Sequence, residues 1–311
     1  MNLKTLIISL FNNPIVKEIR KLSSIKKIAF KYIGGENIES FIPKMEELVS
    51  AGYKFTFSFL GEHNISDKKI KEYKENVLNI VEKIKNFSNV TVSVKLTAMG
   101  LLIDEEKCVE NLEEILKFAK ENNLRIHIDM ESSEFIDHTL NIFSSLSQSY
   151  NNLDITFQAY LYRTTKDIED RIISNNWEYK PIVRLCKGAY KEPMDKIFPT
   201  KKLIDENYYN LAVKMLDNVD KLYPAFATHD HKIIEKIKNY VNFKAISKDN
   251  FEFQMLYGVR PELQKKILEQ GYNLRIYIPI GYEWYEYFVR RIAERPSNLL
   301  LVFYSVISKK E

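Results

Sequence analysis

The sequence predicts a (β/α)8 barrel of the TIM type (fold class α/β), with extra N-terminal helices and a C-terminal helix over the barrel mouth. Three observations carry this prediction: the chain has 311 residues, eight short β-rich runs recur along it, and amphipathic helical patterns separate the runs. A (β/α)8 barrel needs about 250 residues, so one barrel with flanking helices fits this length. Strands that alternate with helices indicate a parallel sheet, and eight such units favour a closed barrel over an open sheet.

The elements follow the chain in a regular order after an N-terminal segment. Residues 1–50 are predicted to form a helical extension packed on the barrel, and residues 51–311 to form the barrel itself. The predicted strands are Lys54–Phe59, Thr91–Leu96, Arg125–Met130, Asp154–Tyr160, Ile182–Cys186, Ala225–His229, Phe251–Leu256 and Leu274–Ile280. Examples of the amphipathic helices between them are Asp67–Phe87, Glu105–Glu121 and Ile204–Val219.

Composition excludes several classes of protein. Hydrophobic residues make up 45% of the chain and the net charge is +4, with basic and acidic residues alternating along the helical patterns. This alternation indicates solvated helix faces, so no nucleic-acid partner is expected. The two cysteines, Cys108 and Cys186, argue against a disulfide scaffold and favour a reducing compartment. No metal-type spacing of cysteine and histidine occurs, so no metal site is expected.

The two ends of the chain carry short apolar runs. Met1–Phe11 lacks a small-residue cleavage site, which argues against a signal peptide. No apolar run approaches the 18 residues of a membrane span. Leu299–Ile307 is therefore predicted to dock on the barrel and cover it, with contact to a membrane surface as the alternative. These features favour a cytoplasmic location.

Alternation along the predicted strands places polar side chains in the barrel lumen. Ser93 and Lys95 share one face of the second strand, and Asp129, Gln158 and Arg184 lie on the corresponding faces of the next three. Barrel lumens are usually filled with branched apolar side chains, and buried polar groups are costly unless they are paired. A lumen with these residues near the carboxyl ends of its strands is a candidate active site. The alternative is a purely structural network of buried ion pairs.

Two further groups of residues could hold a ligand. The loop Lys187–Tyr190 combines a glycine with a lysine and could approach a phosphate, since neither a GxGxxG motif nor a P-loop occurs in the chain. Near the C-terminus, Tyr287, Arg290, Arg291 and Glu294 fall on one helical face, where paired arginines can clamp a carboxylate. The alternative is an exposed charged face with an Arg290–Glu294 pair.

An ordered set of motifs from about position 55 to the C-terminus resembles the proline dehydrogenase family, in particular its monofunctional bacterial members. LGE follows the first strand, and the other motifs follow in family order. The motifs are LGE (Leu60–Glu62), VSVKLT (Val92–Thr97), IDMES (Ile128–Ser132), FQAYLYRT (Phe157–Thr164), VRLCKGAY (Val183–Tyr190), ATHD (Ala227–Asp230), FEFQMLYG (Phe251–Gly258) and YIPIG...YFVRRIAERP (Tyr277–Pro296).

This resemblance implies a flavoprotein oxidoreductase with non-covalent FAD at the carboxyl ends of the strands. It implies oxidation of L-proline to Δ1-pyrroline-5-carboxylate by hydride transfer from proline C5 to flavin N5, which is the first step of proline catabolism. It also implies a quinone electron acceptor, and with it a peripheral contact with the inner face of the cell membrane. Two positions depart from the usual family pattern, Asp230 and Lys191, which puts cofactor contacts at these two positions in doubt.

The resemblance assigns roles to sixteen residues. Lys95, Arg290 and Arg291 would bind the proline carboxylate, and Asp129 would orient Lys95 and tune the site. Tyr190, Leu256, Tyr277 and Tyr287 would shape the pocket around the pyrrolidine ring. Arg184 would lie near the reactive nitrogen of the flavin, and Met130 and Gln158 would contact its ring system. Lys187, Gly188, Ala189, Thr228 and His229 would contact the rest of the cofactor.

A different enzyme class stays open from the residues alone. A lysine at a strand end suits Schiff-base chemistry, so a barrel lyase that uses Lys95 or Lys187 is the alternative function. It predicts borohydride trapping of a carbonyl substrate and no bound flavin. Cys186, His127 and His138 are predicted to be structural residues.

Overall fold

The computed structural model describes residues 23–63 and 65–294, together with the single positions 13 and 18. Eight parallel strands pair in sequence order, and β8 pairs with β1 to close the barrel. The predicted fold class is confirmed. Met1–Phe11 and Leu299–Ile307 lie outside the described residues, and the division into residues 1–50 and 51–311 stays a prediction.

The strands and helices alternate as the sequence predicts. The strands are β1 (Lys54–Phe59), β2 (Val90–Val94), β3 (Arg125–Ile128), β4 (Leu153–Gln158), β5 (Ile182–Cys186), β6 (Tyr223–Ala227), β7 (Glu252–Leu256) and β8 (Leu274–Ile280). The α-helices are α1 (Ser23–Ala29), α2 (Ile42–Ser50), α3 (Asp67–Ile84), α4 (Glu105–Glu121), α5 (Ile136–Leu146), α6 (Thr164–Ile168), α7 (Lys201–Leu216), α8 (His231–Phe243), α9 (Pro261–Glu269) and α10 (Trp284–Glu294). Short 3-10 turns lie at Leu96–Met99 and Lys248–Asn250, and a π turn at Glu169–Ile173.

Strands β1, β5 and β8 have the predicted bounds. Strand β6 differs most, because it begins and ends two residues earlier than predicted, and β2, β3 and β4 each end two residues early. Strand β2 ends at Val94 because the chain turns immediately into the 3-10 segment Leu96–Met99, which closes at Gly100 with a φ of 112°. Strand β6 starts at Tyr223, whose N–H donates to Pro181 O at 2.9 Å. It ends at Ala227 because the following residues turn into the N-terminus of α8.

Side-chain caps explain where four of the helices begin. Ser66, Asp104, Thr200 and Asp230 each accept a hydrogen bond from a backbone N–H in the first turn of α3, α4, α7 and α8. Such caps satisfy donors that have no partner within the helix. Each cap therefore defines the loop between a strand and the following helix, and these loops surround the carboxyl ends of the strands.

The segment before β1 covers the outside of the barrel next to β1 and β8. Phe41 packs edge-on against Phe55 and Phe57, with ring centroids 6.5 and 5.9 Å apart. The Gly34 N–H donates to Pro279 O at 2.9 Å, which ties this segment to β8.

Helix α10 packs with α1 in a second, smaller hydrophobic core. Trp284 and Phe288 are buried there with Ile25, and the ring of Phe30 meets Trp284 edge-on at 5.9 Å. This packing holds α10 over the mouth of the barrel, as the sequence predicted. Between residues 23 and 294, position 64 excepted, no helix is both long and apolar enough to cross a membrane.

Candidate active site

The polar faces of the strands point into the lumen, as the alternation predicted. Thr56 and Thr91 share a hydrogen bond of 2.7 Å. The Arg184 Nη1 donates to Ser93 Oγ at 3.1 Å, and these residues lie on β5 and β2, three strands apart in the closed sheet. A direct contact between strands so far apart in the sheet can only cross the lumen. The apolar residues of the same strands face the surrounding helices.

The amino-terminal half of the lumen is closed by a buried ion pair. Arg275 donates from Nε to Glu252 Oε1 at 2.6 Å, and both residues are more than nine-tenths buried. The Arg275 Nη1 also donates to Phe55 O at 2.8 Å, which links β8 to β1. Burial would raise the pKa of Glu252, but Arg275 holds it below its ordinary value. The sequence left open that the polar lumen residues form a structural network of buried ion pairs, and such a network is present at the amino-terminal end of the barrel.

Asp129, just beyond β3, is the centre of the polar groups at the opposite end. Its Oδ2 accepts from Lys95 Nζ at 3.0 Å and from the Tyr277 hydroxyl at 2.6 Å. Its Oδ1 accepts from Arg184 Nη1 at 2.6 Å. One carboxylate thus joins a donor just beyond β2 with donors on β5 and β8. Charge-assisted hydrogen bonds of this kind are about twice as strong as neutral ones.

These contacts determine the charges of the group. Burial would lower the pKa of Lys95, but Tyr277 and Asp129 raise it well above its ordinary value. Burial would raise the pKa of Asp129, but Lys95 and Arg184 hold it below its ordinary value. The pKa of the Tyr277 hydroxyl is raised by burial and by Asp129. At neutral pH Lys95 is therefore an ammonium, Asp129 a carboxylate and Tyr277 a neutral phenol.

All sixteen residues named from the resemblance line one cavity at the carboxyl ends of the strands. The cavity has a volume of about 950 Å³, near the upper end of the range of about 300–1,000 Å³ for ligand pockets. Its lining includes Lys95, Asp129, Met130, Gln158, Arg184, Lys187, Gly188, Ala189, Tyr190, Thr228, His229, Leu256, Tyr277, Tyr287, Arg290 and Arg291. The fold brings them together although they are spread over almost 200 positions of the chain.

The loop Lys187–Tyr190 has the backbone conformation that its glycine predicts. Gly188 has a φ of 112°, and a Cβ at this position would lie 2.2 Å from the Tyr160 ring. The Lys187 ammonium forms ion pairs with Asp205 and, at 3.0 Å, with Asp230. Asp230 also caps α8, and after the opposing effect of burial the Lys187 contact lowers its pKa to about 2. Any phosphate at this loop must share Lys187 with these two carboxylates.

Helix α10 presents its arginines to the cavity and to a loop on the far side of the mouth. Arg290 Nη1 lies 3.3 Å from Glu62 Oε1, and the Tyr190 hydroxyl donates to Glu62 Oε2 at 3.4 Å. The Arg291 guanidinium lies over the Tyr287 ring at 5.2 Å. Arg290 thus has a described ion-pair partner in the loop after β1. The alternative Arg290–Glu294 pair falls on a side chain outside the described residues.

The predicted structural residues have local partners. His127 is buried beside Thr156, with its Nε2 at 2.9 Å from the hydroxyl oxygen, and burial and Arg184 lower its pKa. His138 contacts Glu105 near the surface. Cys186 borders the cavity, and burial raises the pKa of its thiol to about 12, so it is not a thiolate at neutral pH.

One group of described residues has the spacing of metal ligands. Glu62, His63 and Glu131 place ligand atoms within 4.8 Å of one another. The Glu131 oxygens accept hydrogen bonds from the Thr97 N–H and hydroxyl, and Glu62 accepts from Arg290 and Tyr190. The carboxylates are thus engaged by donors of the protein.

Two residues of the site were missed in the sequence. Glu62 lies in the LGE motif, but its contact with Arg290 joins positions 228 residues apart. Gln254 lines the cavity and accepts from Arg184 Nε at 2.6 Å. Alternation along β7 places Glu252 and Gln254 on the face that carries Leu256, and this signal would have identified Gln254 as a lumen residue.

Comparison with protein families gives one match over most of the chain. The model of the family described as proline dehydrogenase matches residues 41–300. Proline dehydrogenase 2 of Bacillus subtilis (strain 168) is 41% identical over 282 residues, which cover 90% of this chain and 91% of that protein. Proline dehydrogenase of Deinococcus radiodurans is 35% identical over 306 residues, which cover 95% of each chain.

Comparison with solved structures supports the same fold. Proline utilization A (PutA) from Bdellovibrio bacteriovorus, in a form inactivated by N-propargylglycine, superposes with a TM-score of 0.80. The two sequences are 26% identical, and the match covers 91% of this chain and 34% of that one. The barrel described above therefore corresponds to one part of that larger protein.

Proposed function

We propose, from the premise that this chain belongs to the proline dehydrogenase family, that it oxidises L-proline to Δ1-pyrroline-5-carboxylate with FAD as its cofactor. One observation carries the proposal. Asp129 and the three side chains that donate to it line the same cavity as two arginines of α10, Arg290 and Arg291. The reaction would be the first step of proline catabolism. The family implies the flavin, and FAD is the form that we propose for this chain.

The residues around the cavity fit a flavin. Arg184 Nη2 is buried and has no hydrogen-bond partner among the described residues, whereas Nε and Nη1 are engaged. A buried donor without a partner costs about 1–3 kcal/mol, so an acceptor from a ligand would stabilise this site. Gln158 and Met130 line the same cavity, and the backbone of Lys187–Ala189 borders it. We propose that these groups hold the isoalloxazine ring and the cofactor chain.

Proline would be bound mainly through its carboxylate. Lys95 is held protonated by its ion pair with Asp129, and Arg290 and Arg291 add two guanidinium groups on the cavity wall. Three cations around one carboxylate fix the orientation of the substrate, which is the main task of the protein when a cofactor carries the chemistry. Tyr190, Leu256, Tyr277 and Tyr287 would enclose the ring.

The chemistry sets one further requirement on the site. When bound, the flavin supplies at N5 the acceptor for the hydride that leaves proline C5. The nitrogen lone pair of proline assists this departure, so the amine must be neutral when it reacts. The role of the protein is then to hold the substrate and its charge in place, and we assign no side chain as a general base.

The charge state of Lys95 argues against the lyase alternative. A lysine that forms a Schiff base must be neutral when it attacks the carbonyl carbon. The ion pair of Lys95 with Asp129 favours the charged form instead. Lys187, the other candidate, is paired with two aspartates. The family relationship supports the oxidation of proline rather than this chemistry.

The visible spectrum of the purified protein tests the proposal. We expect an oxidised flavin spectrum, identified as FAD after denaturation, that bleaches when L-proline is added without oxygen. D-proline is the control, because it presents the same groups in the wrong arrangement to a site that fixes the carboxylate. A colourless protein that is inactivated by borohydride with a carbonyl substrate would contradict the proposal and favour the lyase.

Three further proposals are supported by the family relationship. They are a quinone as electron acceptor, a cytoplasmic location and a peripheral contact with the inner face of the cell membrane. Reoxidation of the proline-reduced protein by a soluble quinone analogue tests the acceptor. Co-sedimentation with vesicles of anionic lipid, with and without proline, tests the contact.

A further inference from the structure

Gln254 and Arg184 form a hydrogen bond inside the lumen. The strand between them carries only small side chains at this level, so the two long side chains can meet. The two residues lie on β7 and β5, and β6 runs between them. In the strand register Ala225 stands beside Arg184, and Ala227 stands beside Gln254. Register partners in a parallel sheet point to the same side, so β6 offers only methyl groups to the lumen at these two levels. The hydrogen bond of 2.6 Å from Arg184 Nε to Gln254 Oε1 occupies that space.

Glu252 determines which end of the Gln254 amide faces Arg184. The Gln254 Nε2 donates to Glu252 Oε1 at 2.8 Å. An ionised carboxylate only accepts hydrogen bonds, and a guanidinium only donates them. An amide between the two has one orientation that satisfies both, with its nitrogen towards Glu252 and its carbonyl towards Arg184. Arg275 keeps Glu252 in place through two further hydrogen bonds, at 2.6 and 3.2 Å.

We propose that Gln254 and Glu252 are positioning residues that orient Arg184 towards the bound flavin, an inference that rests on the proposed function. Gln254 holds Nε, while Asp129 and Ser93 hold Nη1, so that the guanidinium plane has a single orientation. In this orientation Nη2 is the donor left for the ligand. Without Gln254 the guanidinium keeps only its contacts at Nη1, so that it can turn about them and the direction of Nη2 is no longer fixed.

The first variant removes the hydrogen bond while it conserves volume. In Gln254→Met, we expect the rate of flavin reduction at saturating proline to fall by about tenfold, as for the loss of one hydrogen bond to a charged group. The KM for proline should change by less than about threefold, because the carboxylate contacts remain. The midpoint potential of the flavin should become more negative, because a cation beside the reduced flavin is less well held.

A pair of substitutions tests whether the order of donors and acceptors is what matters. Gln254→Glu places two buried carboxylates side by side and should impair flavin reduction. Adding Glu252→Gln restores the alternation: the new amide donates to the carboxylate at 254, which accepts from Arg184, and its carbonyl accepts from Arg275. The double variant should recover most of the rate lost in Gln254→Glu. A merely structural role predicts no such recovery, since two changes in a packed lumen should cost more than one.

Asn152→Leu is the matched control. Asn152 is equally buried and donates to the backbone of Leu116 and Leu124, away from the cavity. It should lower thermal stability and leave the reduction rate and the potential unchanged. An unchanged rate and potential in Gln254→Met would overturn the positioning role, as would a double variant no faster than Gln254→Glu.

The two proposals fail in different ways. A wild-type protein that binds flavin but is not reduced by proline would overturn the proposed function, and the midpoint potentials would still decide the role of Gln254. If no flavin binds, the nitrogen-15 signal of the Arg184 Nε–H reports the contact directly. It should exchange with water faster in Gln254→Met than in the wild type, and equal exchange would exclude the contact.

Discussion

Asp129 shows at the level of one residue how burial and charge are balanced. Its two oxygens accept from Lys95, Arg184 and Tyr277, and its side chain is only 14% exposed. A buried carboxylate is tolerated when it is paired and fully hydrogen-bonded. The same contacts keep Lys95 charged, so that Asp129 prepares the cation on which the proposed binding of a carboxylate depends.

We predict that Lys95 and Asp129 act as a coupled pair. Lys95→Met and Asp129→Asn should each lower kcat/KM for proline, and the double variant should cost less than the two losses added, because each residue relies on the other for its charge. A double-mutant cycle on kcat/KM measures this coupling. Tyr277→Phe is the control that removes a neighbour of Asp129 but keeps both charges. Strict additivity, within about 0.5 kcal/mol, would show that the two residues act independently.

At the scale of an element, α10 connects packing to the proposed substrate site. Trp284 and Phe288 anchor it in the core that it shares with α1, and Arg290 and Arg291 lie on the side that borders the cavity. The side chain of Arg290 is 45% exposed and shares an ion pair with Glu62. Exposed pairs of this kind contribute little to stability, which leaves Arg290 available to a ligand.

We predict that Arg290→Met and Arg291→Met raise the KM for proline while the flavin stays bound. Each should cost roughly 1.5–3 kcal/mol of transition-state binding, the value of one charge-assisted contact with a carboxylate. Steady-state kinetics and the flavin content of the purified variants check both parts. Glu62→Gln is the control, because it removes the ion pair but keeps the arginine. An equal rise of KM in Glu62→Gln would mean that Arg290 acts only through Glu62.

At the scale of the whole molecule, two sets of contacts close the barrel: backbone pairing in the sheet and side-chain contacts inside the lumen. The pairing of β8 with β1 completes the ring of backbone hydrogen bonds. In the lumen Arg275 on β8 pairs with Glu252 on β7 and donates to Phe55 O on β1, so that its side chain spans the point of closure. The two functions of the lumen are separated along the barrel axis, with a structural network at the amino-terminal end and the cavity at the carboxyl end.

We predict that Arg275→Met lowers the free energy of unfolding by about 3–5 kcal/mol, because it removes the guanidinium that pairs with the buried Glu252 and leaves only the Lys54 ammonium, 3.8 Å away, as a cation. Adding Glu252→Leu should recover part of this loss, since an apolar pair has no uncompensated charge. Denaturation with urea, followed by circular dichroism, measures both values. The double variant should be slower in flavin reduction than the wild type, because Gln254 has lost its hydrogen bond to Glu252. Equal stability of the single and double variants would exclude the uncompensated charge as the cause.

Local patterns in the sequence were sufficient for much of this structure. Alternation of polar and apolar residues predicted the lumen faces of β2 to β5, since side chains on a strand must alternate between two environments. The bounds of β1, β5 and β8 were predicted, and the larger errors arose where a turn follows the strand, as at Gly100. Turn geometry depends on φ values and on neighbours that a periodic pattern does not contain.

What the sequence by itself determined is the barrel, its polar lumen and the family to which the chain belongs. Only the tertiary structure decided which of these polar groups meet: that Arg184 turns to Gln254 and Asp129, that Arg290 pairs with Glu62, and that Arg275 and Glu252 close the other end. The physical reason is distance along the chain. Propensity and alternation act between near neighbours, whereas these contacts cross a closed lumen whose geometry depends on all eight strands together.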